Sequence, residues 1–131
     1  MGSIIHVDNS EFFRKVTKAF LTKLGYESDG FARGEDALDV VTAGMANCVI
    51  TGLELADMNG EDFIKQLAVS AHLVPIIVIT SRDDGEANLR LENMGVKAII
   101  QKSGNWEKEL HELLEHLKEE GEIALTMSNE Q

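Results

Sequence analysis

The residues able to do chemistry stand in four short polar clusters, each following an apolar run: Asp8-Asn9-Ser10, Gly52-Leu53-Glu54, Thr80-Ser81 and Gln101-Lys102-Ser103. They offer carboxylates, an amide, hydroxyls and one ammonium group. The runs before them, Ile4–Val7, Cys48–Thr51, Ile76–Thr80 and Ala98–Ile100, have the length and apolarity of buried strands. In an open parallel sheet, ligands collect beyond the carboxyl ends of the strands, where strand order reverses. Polar groups at four strand ends are therefore expected to converge on one shallow pocket.

Helical faces alternate with these strands. Phe13, Val16, Phe20 and Leu24 make one stripe, and Ala37, Leu38 and Val41 another. Phe63, Ile64 and Leu67 repeat the spacing, as do Ala87, Leu91 and Met94, and finally Trp106, Leu110, Leu113, Leu114 and Leu117. That last stripe reads as core rather than as a cofactor box. Glu27–Phe31 contains Ser28, Asp29 and Gly30 and reads as an exposed edge strand. Gly25, Gly44, Gly95 and Gly121 fall just past helix ends, where a left-handed residue closes the last turn. Asn59 is a fitting N-cap, with Glu61 and Asp62 in the first turn favourable to the helix dipole. Pro75, the only proline, is expected to open the fourth strand. Five strand–helix units with short connections imply a doubly wound α/β domain, its parallel sheet covered on both faces. Residues 1–120 are expected to form it, with 121–131 as a tail or the start of a linker.

Composition narrows the function. A chain of 131 residues, 44% hydrophobic, suits one core. A formal net charge of −11 opposes direct nucleic-acid binding, which needs clustered Lys and Arg. No run of about 18 apolar residues exists to span a membrane. The start lacks the features of a signal peptide, so a cytoplasmic location is expected. Cys48, the single cysteine, reads as a small buried hydrophobe. His111 and His116 are five apart on a helix and do not share a face as a zinc pair would. His6 and His72 have no partner pattern.

In order and spacing, His6-Val7-Asp8-Asn9-Ser10, Met58-Asn59-Gly60, Ile77-Val78-Ile79-Thr80-Ser81 and Ala98-Ile99-Ile100-Gln101-Lys102 resemble the receiver domain of two-component response regulators. The resemblance covers residues 4 to about 118 and implies a flavodoxin-like sheet with strand order 2-1-3-4-5. It also implies a chemistry. An acid cluster holds Mg²⁺, a carboxylate attacks a phosphoryl group, and metal and lysine neutralise its oxygens. A hydroxyl and the lysine then bond the phosphate and repack the face around the fourth and fifth strands.

Carried over by position, the resemblance makes Asp8 the first acidic metal ligand, while Asn9 replaces the second acid by an amide. Gly52 stands where the phosphoacceptor aspartate belongs, and glycine has no nucleophile. Glu54 falls where a backbone carbonyl meets the metal. Thr80 matches the switch hydroxyl, Ser81 the small neighbour and Lys102 the lysine. Ala56 replaces a frequent proline, Ile99 the rotating aromatic, and Ser103 a proline that is commonly cis. Isoleucine cannot perform the aromatic's in–out exchange, and Ser103 lacks the tertiary amide that makes a cis bond cheap.

The resemblance with these departures implies a pseudo-receiver that acts by protein–protein interaction or dimerisation without phosphorylation. The competing reading is a conventional phosphorelay receiver that has lost the aspartate at Gly52; the accompanying changes at Asn9, Ala56, Ile99 and Ser103 favour natural divergence. A flavin or nucleotide enzyme on the same fold is disfavoured, because the first strand–helix turn has no glycine-rich phosphate cradle. No cofactor is expected. Mg²⁺ is expected to bind weakly at most, at Asp8 and Glu54, with a Lys102–Asp8 or Lys102–Glu54 contact in its place. Glu54 and Asp57 are poor substitute phosphoacceptors. By family analogy the partner, an output domain, a histidine kinase or a second copy, would meet the face formed by the fourth helix, fifth strand and fifth helix, with Arg90, Lys97, Lys108 and His111 as polar candidates.

Overall fold

The computed structural model describes residues 3–70 and 74–123. His72 lies outside them, as do residues 124–131. Elements follow one another as β1 (Ser3–Val7), α1 (Glu11–Lys23), β2 (Ser28–Phe31), α2 (Gly34–Thr42), β3 (Ala46–Thr51), α3 (Gly60–Val69), β4 (Ile76–Thr80), α4 (Gly85–Asn93), β5 (Ala98–Gln101) and α5 (Trp106–Glu119). All the strands are parallel, in the order β2-β1-β3-β4-β5. The expected edge strand is β2. Pro75 stands one residue before β4 and contributes through its carbonyl, which accepts the Val49 N–H at 2.9 Å.

Although the central strands are mostly apolar on both faces, their period of two still decides which layer each side chain enters. Ile4, Cys48, Ile50, Ile77 and Ile79 face α1 and α5, packing with Leu21, Leu110, Leu114 and Leu117. Ile5, Val7 and Val49 face α2 and α3, with Ala37, Val41, Phe63 and Leu67. Val78 joins Leu53, Ile64 and Leu91 between α3 and α4. Trp106 packs on Phe13 and Phe20 at centroid distances of 5.0 and 5.6 Å, tying α5 to α1. Cys48 is fully buried, and burial, with the charge of Glu122, pushes its thiol up to about 12.

Helix ends are set locally. The Ser10 hydroxyl accepts the Phe13 N–H at 3.1 Å, and Asn59 Oδ1 accepts that of Asp62 at 2.8 Å. The four glycines past helix ends all have positive φ. Gly60 is required for a different reason: a Cβ there would run into the Gly52 carbonyl and lie 2.8 Å from Leu53 Cα. Past α5 the chain stays packed, because Ile123 is 5% exposed within the α1/α5 core and Glu122 pairs with Lys97 at 3.1 Å. The packed unit thus continues beyond residue 120 to at least Ile123.

Candidate functional site

β1, β3, β4 and β5 deliver their polar ends to one cleft of about 180 Å³. It is lined by Asp8, Asn9 and Ser10 from the first turn, Leu53 and Glu54 from the second, Ile79 to Arg82 from β4 and beyond, and Lys102 after β5. The expected convergence of Asp8, Asn9, Glu54, Thr80, Ser81 and Lys102 is what the topology produces. Gly52 and Ile99 are not in this lining.

Asp8 is the most constrained group in the cleft. Its Oδ1 accepts the Ser10 N–H at 2.8 Å, and its Oδ2 pairs with Lys102 Nζ at 2.8 Å. Its carbonyl accepts from Arg14 at 2.8 Å, and its N–H donates to Phe31 at 3.0 Å. Lys102 is bracketed as well: Nζ stands 4.3 Å from the Phe13 ring centroid, within cation–π range. Of the two expected lysine contacts, Lys102–Asp8 is the one formed.

Gly52 closes β3, its N–H donating to the Val7 carbonyl at 2.9 Å. It borders a chamber of about 10 Å³ beneath the cleft, shared with His6, Thr17 and Thr51. A Cβ at position 52 would lie 2.8 Å from Asp8 Oδ2 and 3.3 Å from its Cγ. The Asp8 carboxylate therefore occupies the room into which any side chain at 52 would grow, and Lys102 holds it there.

The β4 side is looser. Thr80 is buried, its hydroxyl accepting the Arg82 N–H at 3.0 Å, while Gln101 Nε2 donates to the Arg82 carbonyl at 3.0 Å. Ser81, Arg82 and Glu54 are exposed. Asn9 is exposed too, and its N–H donates to the Glu54 carbonyl at 3.2 Å. Ile99 packs away from the cleft, against the apolar cluster between α3 and α4. No peptide bond among the described residues is cis, that between Lys102 and Ser103 included.

Asp57 serves another element. Its carboxylate accepts the N–H groups of Gly34 and Glu35 at 2.7 and 3.0 Å, at the start of α2. Burial opposes its charge, but those bonds and the nearby Arg33 outweigh it and hold the carboxyl below the usual range. It is thereby tied to the α2 terminus rather than presented to the cleft.

The donor set fits a divalent cation poorly. Mg²⁺ demands an oxygen shell; here the Asp8 carboxylate is paired with Lys102, its neighbour Asn9 is an amide, and Glu54 is exposed at the cleft edge. Among the described residues no three His, Cys, Asp or Glu side chains gather closely enough to hold a metal.

Buried below, His6 is 3% exposed with no hydrogen-bond partner for Nε2 among the described residues. Burial, then the charge of Lys18, lowers it to about 4. On the distal face, three of the four expected polar candidates have an acidic side chain within 4.0 Å, His111 Nε2 standing 3.9 Å from Glu115 Oε2. Arg90 Nε and an Nη bind Glu61 of α3 at 2.9 and 3.0 Å, turning it toward α3, and Lys97 binds Glu122. Lys108 and His111 are exposed.

Sequence reasoning did not single out Phe13, Arg14 or Arg82 for the site. Arg82 was within reach of the strand-end rule carried one residue further. Phe13 reads as core by periodicity, and only the tertiary arrangement lays its ring beneath Lys102.

A doubly wound sheet of order 2-1-3-4-5 with an acid, a hydroxyl and a lysine beyond its strand ends defines a class of signalling domain. The chain belongs to the response regulator receiver domain family, whose model matches residues 4–116. It is 25% identical over 96 residues to the DNA-binding transcriptional regulator NtrC of Klebsiella pneumoniae, covering 73% of this chain and 20% of that protein. It is 25% identical over 114 residues to the autoinducer 1 sensor kinase/phosphatase LuxN of Vibrio campbellii, covering 79% of this chain and 13% of that protein. The chain thus spans only a small part of these relatives. A CheY-like receiver domain from Methanospirillum hungatei superposes with a TM-score of 0.81 at 24% identity, over 92% of this chain and 97% of the other. No helix among the described residues is long and apolar enough to cross a membrane.

Proposed function

We propose that this receiver domain of two-component signalling is a pseudo-receiver, acting by protein–protein contact without phosphorylation at the standard position. One observation carries the reading: Asp8 Oδ2 fills the place a side chain at 52 would occupy and is neutralised there by Lys102 at 2.8 Å. The internal ion pair substitutes for the metal and removes the acid cluster a cation would relieve. Gly52 supplies no nucleophile, Asp57 is engaged at α2, and Ile99 has no polar tip with which to report a change at Thr80. Partners are an output domain or a histidine kinase, met in the cytoplasm on the face of α4, β5 and α5, where Lys108 and His111 are exposed. Self-association belongs to the same reading; nucleic acid and membrane do not.

Backbone amide NMR spectra with and without Mg²⁺ and acetyl phosphate test this. Only small, non-saturating shifts are expected at Asp8, Asn9 and Glu54, and none in α4 or β5. Saturation at or below about 1 mM Mg²⁺, or a shift pattern reaching β5 and α4 once the phosphodonor is added, would contradict it.

A further inference from the structure

The ion pair of the cleft is tied to one side of the molecule. Asp8 Oδ1 accepts the Ser10 N–H at 2.8 Å, the Ser10 hydroxyl accepts the Phe13 N–H at 3.1 Å, and Arg14 donates to the Asp8 carbonyl. These bonds bind Asp8 to the first turn of α1. Its partner Lys102, 2.8 Å away, stands 4.3 Å from the centroid of the Phe13 ring. The same ring meets Trp106 at 5.0 Å with the planes 56° apart, and Trp106 meets Phe20 at 5.6 Å and 70°. One aromatic side chain therefore touches both the cation of the cleft and the residue that opens α5.

α5 leans on that contact more than the other helices would. α1, α3 and α4 begin on side-chain caps from Ser10, Asn59 and Asp84, and α2 receives the Asp57 carboxylate. Asn105, before α5, makes no side-chain cap bond. The packing of Trp106 on Phe13 and Phe20 is what seats the start of that helix. On the opposite side the contacts run elsewhere. The Thr80 hydroxyl accepts from Arg82, Ile99 packs with Met94 and Val96, and Arg90 holds Glu61. None of those contacts includes Lys102.

We infer that Phe13 is the positioning residue of Lys102 and that, through Trp106, it couples the state of the cleft to the junction of α1 and α5. This goes beyond the function proposed above and holds whether or not the domain takes a phosphoryl group. The quadrupole of the ring attracts the ammonium group to its face, so cation and ring hold each other in place. The Lys102 side chain is 25% exposed, which leaves it open to competition by an acidic group entering the cleft. Once the ammonium group leaves the ring, Phe13 loses the partner that fixes its tilt. Aromatic pairs depend on that tilt, and close-packed side chains pass a displacement to their neighbours. A change in the cleft is then registered where α5 begins, not at α4.

Trp106 is the only tryptophan, so its indole N–H resonance and its emission report on this one place. Lys102→Met in the full chain is expected to move both, together with the amides at the start of α5, while the α4 amides stay in place. Lys102→Arg keeps a cation over the ring and should restore the wild-type position. In a Phe13→Leu background, adding Lys102→Met should move the indole less than about half as far, the non-additivity that coupling through one residue requires. A purely structural Phe13 would lower stability without making the Lys102 effect depend on it. Thr80→Ala should leave the indole unmoved. If Lys102→Met does not fold, Lys102→Met with Asp8→Asn, which strands no charge, takes its place. An indole that ignores the loss of Lys102, an equal displacement with and without Phe13, or an equal displacement in Thr80→Ala would overturn the inference.

Discussion

The two sides of the cleft are built differently although the same sheet delivers both. On the β1–β5 side every polar atom of Asp8 has a partner, and Lys102 is held between a carboxylate and an aromatic ring. On the β4 side the Thr80 hydroxyl accepts the Arg82 N–H two residues on, and Ser81 and Arg82 are exposed. The difference follows from charge. A buried carboxylate must be neutralised and hydrogen-bonded or it destabilises the fold, whereas a neutral hydroxyl is satisfied by one local backbone bond. Where a metal-dependent site would leave its acids for the cation to neutralise, this chain neutralises its remaining acid internally. The tied half is held by its own ion pair, whereas the loose half is held by the Thr80 hydroxyl and by Gln101.

The contrast breaks most severely at Lys102. Lys102→Met strands Asp8 in a pocket where it is largely shielded from water, and a loss of about 3 kcal/mol of unfolding free energy is expected. Adding Asp8→Asn should recover much of it, because the stranded charge is then gone. Thr80→Ala should cost less than about 1 kcal/mol. Urea melts of the four proteins compare the two sides directly, and equal losses at Lys102 and Thr80 would erase the distinction.

Acid should act on the tied side next. His6 lies under it, and its folded pKa of about 4 is below the ordinary 6.5. Burial is the main cause; Lys18 and Arg14 add to it, while Asp29 and Asp8 oppose it. The unfolded chain therefore binds the proton more readily than the folded one. This contribution is complete above about pH 6.5 and is lost as pH falls from there toward 4, by up to about 3 kcal/mol. Denaturant melts between pH 7 and pH 4 should show the decline, and a His6→Leu variant should show a shallower one.

Gly52→Asp probes the boundary between the two halves with a smaller effect. The new Cβ must displace the Asp8 carboxylate from 2.8 Å, and two acids then share the space beside one lysine. A destabilisation of about 1–2 kcal/mol is expected without metal, relieved by Mg²⁺, with partial phosphorylation. Coupling to the distal face should stay poor because Ile99 packs between α3 and α4. Partner affinity or sedimentation of the variant, with and without phosphodonor, checks this; a large phosphorylation-dependent shift would mean the switch was intact.

Much of this was legible in the residues. Short continuous apolar runs, helical stripes and glycines past helix ends mark the ten elements and a parallel sheet, the resemblance supplies the strand order, and the strand-end rule brings Asp8, Glu54, Thr80 and Lys102 together. Residue type alone shows that position 52 carries no side-chain nucleophile. Partner choice was not legible. Lys102 pairs with Asp8 and not Glu54, its ammonium group lying beside both the Asp8 carboxylate and the Phe13 ring. That Asp57 caps α2 depends on a loop crossing to Gly34, and that Arg90 faces Glu61 depends on the side of α4 that packs against α3. Each is a contact between segments distant in sequence, set by packing rather than by periodicity. The buried Ile123 was missed for a related reason: a lone apolar residue in a polar tail shows no period.

Intact mass of the wild-type chain after incubation with acetyl phosphate and Mg²⁺, with Gly52→Asp treated in parallel, tests the central claim most directly. Unchanged mass is expected for the wild type, and a labile phosphoryl adduct, mapped to residue 52, for the variant. A labile adduct on the wild type, at Asp8, Glu54 or Asp57, would show that the domain still takes a phosphoryl group and would contradict it.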